Sequence, residues 1–143
     1  MSALHEKKMT YEEFEFTEEH WNILAEAAWE CRERAYIMGE VKVGAAVMSS
    51  NGKIFAGCNV EHVFRSHDVH AEVNAITSMV AAGHIELAGI LIVAERERFT
   101  PCGSCLDWIY QFGGPQGRVG FQAKKDGPIA LFRTTELIPY YPR

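Results

Sequence analysis

The sequence has no excess of positive charge. Lys and Arg number 14 against 19 Asp and Glu, and the formal net charge is -5 at pH 7. A protein that binds duplex DNA or RNA through its phosphates presents a basic surface. The composition therefore argues against a duplex nucleic-acid partner, whereas a small-molecule substrate needs no such electrostatic field.

Long apolar runs are also missing. No segment approaches the roughly 20 apolar residues that a transmembrane helix requires. The first residues are polar and lack the apolar core of a signal peptide. We therefore expect no membrane association and a cytoplasmic location. In that reducing compartment the four cysteines are more typical of thiols or metal ligands than of disulfides.

Repeats, linkers and low-complexity segments are absent as well. The chain has 143 residues, of which 48% are hydrophobic and 23% charged. These proportions are typical of a folded globular domain and exclude general disorder. We expect residues 1–143 to form a single domain. Residues 1–16 are interpreted as a loosely ordered N-terminal extension, where Thr10 and Glu13 have the spacing of a capping box and predict a short helical turn.

Hydrophobic periodicity and turn residues predict the order αββαβαββα. This order is typical of an α/β domain in which a mixed sheet is covered by helices. The predicted elements are a helix over 18–38 ended by Gly39, a hairpin over 43–58, a loop over 60–69, a helix over 70–82, a strand over 90–94, a helix over 102–112, strands over 121–123 and 129–132, and a short helix before Pro139.

Two short motifs carry candidate metal ligands. His70 begins one predicted helix, and Cys102 and Cys105 begin another. The Cys-x-x-Cys spacing places two sulfurs one helical turn apart, and a helix N-terminus favours the thiolate form. His70 supplies a third ligand, which leaves the fourth position of a tetrahedral zinc for water. Taken alone, the cysteine pair is also typical of a redox site, and a lone histidine is more often a polar loop or cap residue.

Together these motifs resemble the cytidine deaminase family. His-x-Glu followed by Pro-Cys-x-x-Cys is an already known signature of zinc-dependent deaminases. The resemblance extends over four segments with family-like sequences, Val43–Ala46, Gly57–Glu61, Pro101–Cys105 and Thr135–Tyr140. It implies a three-layer α/β/α fold with a mixed five-stranded sheet, one Zn²⁺ per chain and a homodimer or homotetramer. The implied reaction is hydrolytic deamination of a cytosine nucleoside.

The resemblance also implies roles for individual residues. Glu72 is expected to transfer protons and not to bind the metal, as general acid–base chemistry requires. Asn59 and Glu61 are expected to hold the ribose at its 3′-hydroxyl, because amide and carboxylate groups both hydrogen-bond hydroxyls. Val41 and Ala71 are expected to contact the substrate.

The zinc ligands depart from the pattern of short-chain members, which usually bind zinc through three cysteines beside compensating arginines. This sequence has His70 in the first ligand position, and Val73 and Leu106 where those arginines would stand. Two thiolates and a neutral imidazole balance the charge of Zn²⁺, so the loss of one thiolate is consistent with the loss of the arginines.

The base pocket departs from the family at Val41, where the family usually has a phenylalanine that packs near the base. A packed interior seldom leaves such a space empty. Either another aromatic side chain fills it or the substrate does, so cytidine, deoxycytidine and substituted cytosine nucleosides all remain candidates. The aromatic side chains that qualify are Phe64, Phe99 and Trp108.

Three alternative functions stay open. The segment 70–76 is reminiscent of deoxycytidylate and tRNA-adenosine deaminases, although loop 62–69 offers only Arg65 to a phosphate. An antibiotic nucleoside is another possible substrate. A non-catalytic, zinc-stabilised nucleoside-binding protein would need the pocket but not Glu72.

Overall fold

The computed structural model describes residues 16–97 and 99–141. The predicted N-terminal extension, with its helical turn at Thr10 and Glu13, lies outside the described residues except for Phe16. Within the described ranges, no helix combines the length and the apolar character needed to cross a bilayer.

Helices and strands follow one another in the predicted order within the described residues. They are α1 (Glu18–Arg32), β1 (Gly44–Ser49), β2 (Ile54–Cys58), α2 (Ala71–Ala81), β3 (Leu87–Val93), α3 (Gly103–Gly113), β4 (Arg118–Gln122), β5 (Ile129–Arg133) and α4 (Thr134–Leu137). The predicted loop over 60–69 contains one 3-10 turn, Arg65–His67.

The five strands form one mixed sheet in the order β2-β1-β3-β4-β5. β1 is antiparallel to both β2 and β3, β3 is parallel to β4, and β4 is antiparallel to β5. Gly52 has a φ of 86° in the turn that joins β1 to β2, a conformation that glycine adopts without steric cost. The mixed sheet predicted from the sequence is confirmed.

Helices cover both faces of the sheet, because alternate residues of its central strands point in opposite directions. One face packs against Trp21, Leu24 and Trp29 of α1. The opposite face packs against α2 and α3, which contribute Ile76 and Ile109. The three-layer α/β/α architecture is therefore confirmed, and the buried central strands explain why β3 is apolar throughout.

The predicted end of the first helix was wrong. α1 ends at Arg32 and not near residue 38. Beyond it, the backbone N–H of Tyr36 donates to the carbonyl of Asn59, and the N–H of Glu61 donates to the carbonyl of Tyr36. The chain leaves the helix because this segment forms backbone hydrogen bonds with residues distant in sequence. The hydrophobic periodicity of the segment itself cannot predict such pairing.

Gly57 lets β2 lie unusually close to α2. A Cβ at this position would sit 2.4 Å from the Ala75 nitrogen and 2.7 Å from the Ala71 carbonyl oxygen, both backbone atoms. Neither atom can move without displacing the helix. The close approach therefore fixes the start of α2 against the sheet.

We predict that Gly57→Ala lowers the free energy of unfolding by about 1–3 kcal/mol, the usual cost of overpacking a core. Chemical denaturation of the purified proteins measures this cost. Gly103→Ala is the matched control, because a Cβ there would meet nothing within 4 Å. A Gly57→Ala protein as stable as the wild type would show that α2 does not depend on this contact.

Candidate active site

Three ligand-type side chains converge where α2 and α3 begin. His70 and Cys102 are the N-cap residues of these helices, and Cys105 lies in the first turn of α3. His70 Nδ1 lies 3.2 Å from Cys105 Sγ and 3.5 Å from Cys102 Sγ. In a tetrahedral zinc site, nitrogen and sulfur ligands lie about 3.5 Å apart. Both nitrogen–sulfur distances are therefore close to those of a zinc site, and the three ligand atoms all lie within 4.8 Å of one another.

The chemistry of this cluster also fits a divalent cation. Burial raises the pKa of the Cys105 thiol, and the nearby acidic groups of Glu72 and Cys102 raise it further. Such a concentration of potential negative charge is costly unless a cation compensates it. Two sulfurs and an imidazole are ligands that zinc prefers, and three protein ligands leave one coordination position open.

Glu72 is buried beside this cluster. It is the second residue of α2, only 6% of it is exposed, and its carboxyl group is in hydrogen-bonding contact with Cys105. Burial raises the pKa of Glu72, although its own backbone N–H and His70 partly oppose the shift. A carboxyl group with a raised pKa is suited to accept and return a proton near neutral pH.

A cavity of about 270 Å³ opens onto Glu72. Of the site residues predicted from the sequence, only Cys105 is absent from its walls, because it lies beneath them at 1% exposure. The structure therefore brings the predicted residues into one site, and seven of them line this cavity: Val41, Asn59, Glu61, His70, Ala71, Glu72 and Cys102.

Asn59 holds together the backbone on one side of the cavity. Its Oδ1 accepts a hydrogen bond from the Val43 N–H at 2.8 Å, and its Nδ2 donates to the Val41 carbonyl at 3.0 Å. One amide N–H remains for another acceptor, because the side chain carries two. The predicted contact with a sugar hydroxyl stays a prediction, but it has to coexist with this structural role.

Glu61 is held in a similar way. Its Oε1 accepts hydrogen bonds from the backbone N–H groups of Met38 at 2.6 Å and Gly39 at 2.8 Å. Its Oε2 lies 3.1 Å from Nη2 of Arg65. The N–H of Gly39, followed by that of Met38, lowers the pKa of Glu61. The carboxylate is therefore a charged acceptor beside the cavity.

The aromatic side chains differ in their access to the cavity. Phe99 lines it together with Val41 and packs edge-on against Phe121 at 5.6 Å between ring centroids. Phe64 and Trp108 are not among the lining residues. Of the three aromatic candidates for the space beside Val41, Phe99 is therefore the one that the structure favours.

Sequence reasoning missed two charged side chains at this site, Asp68 and Arg96. Both line the cavity, and Arg65 donates a hydrogen bond to Asp68 and forms an ion pair with Glu61. The spacing of Glu61, Arg65 and Asp68, four and then three residues apart, is a charge pattern that could have predicted the pairing. No sequence pattern around Arg96 predicted its position at the cavity.

Comparisons with known proteins agree with this geometry. A family model described as the cytidine and deoxycytidylate deaminase zinc-binding region matches residues 18–121. A probable cytidine deaminase from Dictyostelium discoideum is 39% identical over 74 residues, which are 50% of this chain and 50% of that protein. The cytidine deaminase of Mycobacterium tuberculosis H37Rv is 27% identical over 121 residues, which are 83% of this chain and 86% of that protein.

Solved structures show the same likeness. The crystal structure of cytidine deaminase from Burkholderia pseudomallei is similar with a TM-score of 0.77 and 33% identity, covering 87% of this chain and 98% of that one. Of the first curated relatives, this chain spans only about half of the D. discoideum protein and 61% of the one from Sporosarcina psychrophila.

We predict one zinc ion per purified chain, lost in the double variant Cys102→Ser/Cys105→Ser. Elemental analysis measures the stoichiometry. The control is Cys31→Ser/Cys58→Ser, because both residues are buried cysteines outside the ligand cluster. Chelation should also lower the melting temperature of the wild type, since a metal bound only by the folded state stabilises that state. Full zinc content in the Cys102/Cys105 variant would refute the ligand assignment.

Proposed function

This chain belongs to the cytidine and deoxycytidylate deaminase family, and we propose that it hydrolytically deaminates a cytosine nucleoside. Water replaces the amino group at C4, which yields the uracil nucleoside and ammonia. One observation carries the proposal: the buried carboxyl group of Glu72 lies against a His–Cys–Cys cluster at a cavity. That arrangement combines a metal site with a proton carrier that is not itself one of the three ligands.

The cluster would hold the metal, and Glu72 would move the protons. His70, Cys102 and Cys105 would bind Zn²⁺, which supplies Lewis acidity and activates water for attack. Glu72 accepts a proton from the attacking water and delivers it to N3 of the ring. It then takes the second proton from the hydroxyl group added at C4 and passes it to the amino nitrogen, as the C4–N bond breaks, ammonia leaves and the C4 carbonyl forms. Its burial keeps bulk water away from these transfers.

The side chains around the cavity support a nucleoside over a nucleotide. Asn59 and Glu61 offer hydrogen-bonding groups suited to a sugar hydroxyl, and Ala71 and Val41 offer apolar contact beside the base. Of the two arginines that line the cavity, Arg65 is already paired with two carboxylates, which leaves Arg96 alone for a phosphate. This pairing makes a deoxycytidylate substrate the weaker alternative.

A non-catalytic binding protein is the other alternative. Burying a carboxyl group is unfavourable, and a protein that merely binds nucleosides gains nothing from Glu72 next to the metal cluster. A screen of cytosine nucleosides, nucleotides, substituted analogues and free bases for ammonia release and ultraviolet change tests the proposal. Release of ammonia from cytidine or deoxycytidine is expected, whereas binding without turnover of any compound would contradict it.

We predict that Glu72→Gln lowers turnover by about 10²–10⁴-fold, the usual contribution of a general acid–base, while zinc stays bound. Steady-state kinetics and elemental analysis measure the two effects. Glu86→Gln is the control, since Glu86 is a partly buried carboxylate that accepts a hydrogen bond from the Ser50 hydroxyl. If Glu72→Gln kept a tenth of wild-type turnover, another group would have to carry the proton.

We predict that Asn59→Ala reduces the preference for a nucleoside over free cytosine by about tenfold, because an unpaired sugar hydroxyl costs roughly 1–3 kcal/mol. The ratio of the two kcat/KM values measures this preference. Asn74→Ala is the control, because the Asn74 amide accepts a hydrogen bond from the Cys58 N–H and does not line the cavity. Free cytosine turned over as well as its nucleoside by the wild type would refute the role in sugar binding.

We predict that Val41→Phe shifts selectivity toward plain cytidine and away from ring-substituted cytosine nucleosides. A change of this size in an apolar pocket is worth about 1–3 kcal/mol, so a shift near tenfold in the ratio of kcat/KM values is expected. Val63→Phe, at an exposed loop valine, is the control. If the wild type strongly prefers cytidine and Val41→Phe leaves the ratio unchanged, Phe99 already fills the space.

A further inference from the structure

Arg65 joins two carboxylates at the rim of the cavity. Its Nη2 lies 3.1 Å from Glu61 Oε2, and its Nε donates to Asp68 Oδ2 at 2.9 Å. The two carboxylate side chains are only 13% and 15% exposed, whereas that of Arg65 is 56% exposed. A planar guanidinium with two fixed partners is strongly constrained in orientation. Arg65 therefore spans two rigidly placed groups, unlike a loose surface ion pair.

The two oxygens of Glu61 have different partners. Oε1 receives two hydrogen bonds, from the N–H groups of Met38 and Gly39. Oε2 receives the guanidinium of Arg65. Since a carboxylate offers about two acceptor sites on each oxygen, Oε1 is saturated, whereas Oε2, which forms an ion pair with Arg65, can still accept a hydrogen bond. A ligand in the cavity can therefore donate a hydrogen bond to Oε2 and not to Oε1.

Asp68 anchors the other end of the guanidinium to the loop. Its Oδ1 accepts a hydrogen bond from the His62 N–H at 2.7 Å, while its Oδ2 binds Arg65. The chain of contacts thus runs from the backbone at Met38 and Gly39, through Glu61 and Arg65, to the backbone of the loop. It connects two segments that border the same cavity.

We propose that Arg65 is a positioning residue that makes Glu61 selective for one sugar hydroxyl. The proposal rests on the proposed function, in which the 3′-hydroxyl of a cytosine nucleoside donates to Glu61. Arg65 fixes the rotation of the carboxylate, so that the free site on Oε2 has one direction. Without Arg65 the backbone N–H groups still hold Oε1, but Oε2 loses the partner that orients it.

This role should appear in substrate selectivity and not in stability. Ion pairs with an exposed partner contribute little to the free energy of unfolding, because solvent screens them. A carboxylate that turns by a few tens of degrees, however, no longer meets a hydroxyl at hydrogen-bonding angles. Losing Arg65 should therefore cost recognition of the hydroxyl while the protein stays folded.

The test compares cytidine with 3′-deoxycytidine. We expect the wild type to favour cytidine by about tenfold or more in kcat/KM, and Arg65→Met to reduce that ratio to within about twofold of one. Arg65→Met should lower kcat/KM for cytidine and leave that for 3′-deoxycytidine unchanged. In a Glu61→Gln background, the further change Arg65→Met should not alter the ratio of the two values. Calorimetric binding of uridine and 3′-deoxyuridine gives the same comparison without turnover, and the melting temperature verifies folding.

Arg96→Met is the matched control, because Arg96 lines the cavity but forms no ion pair with any residue in the described part of the chain. This substitution removes the same charge and should change kcat/KM for both substrates by the same factor. A selectivity ratio that survives Arg65→Met, or a wild-type ratio near one, overturns the proposal. So does a variant impaired mainly toward deoxycytidylate, which would indicate phosphate binding. Failure of the wild type to release ammonia from cytidine would instead contradict the proposed function.

Discussion

The site depends on one electrostatic constraint: three groups that can become negative are packed together at two helix N-termini. Burial raises the pKa of the Cys105 thiol, and the adjacent acidic groups of Glu72 and Cys102 raise it further. The helix N-termini ease that repulsion only in part, because each contributes about half a positive charge. The fold must therefore hold α2 and α3 close enough for a metal ion to complete the balance, and the contact of Gly57 with the backbone of α2 is part of that framework.

Local sequence features predicted most of the fold and the centre of the site. Hydrophobic period, turn residues and the Cys-x-x-Cys spacing act within one element, so the element order and the candidate ligands His70, Cys102 and Cys105 could be identified from the sequence. The end of α1 could not, because Tyr36 leaves the helix to pair with residues 59 and 61. β4 likewise begins at Arg118, three residues before its prediction, because its parallel pairing with β3 sustains a strand through Gly120.

The side chains expected to contact the sugar also build the wall of the cavity. Asn59 fixes the backbone at 41 and 43, and Glu61 fixes it at 38 and 39. The side chains that fix this backbone are thus the ones expected to bind the sugar. Each of the two side chains has only one or two hydrogen-bonding sites left for a ligand. The sequence alone could identify these two residues as candidates. It could not show that they also bind the backbone, since their hydrogen-bond partners there are about 20 positions away in the chain. The expected homodimer or homotetramer stays a prediction.

The central claim is that solvent water displaces the C4 amino group at the Glu72 site. Incubation of the zinc-loaded protein with cytidine in water enriched in oxygen-18, followed by mass spectrometry of the product, tests it most directly. We expect one oxygen-18 in the base of each uridine formed and one ammonia released per uridine. Uridine without the label, or unchanged cytidine in the presence of bound zinc, would contradict it.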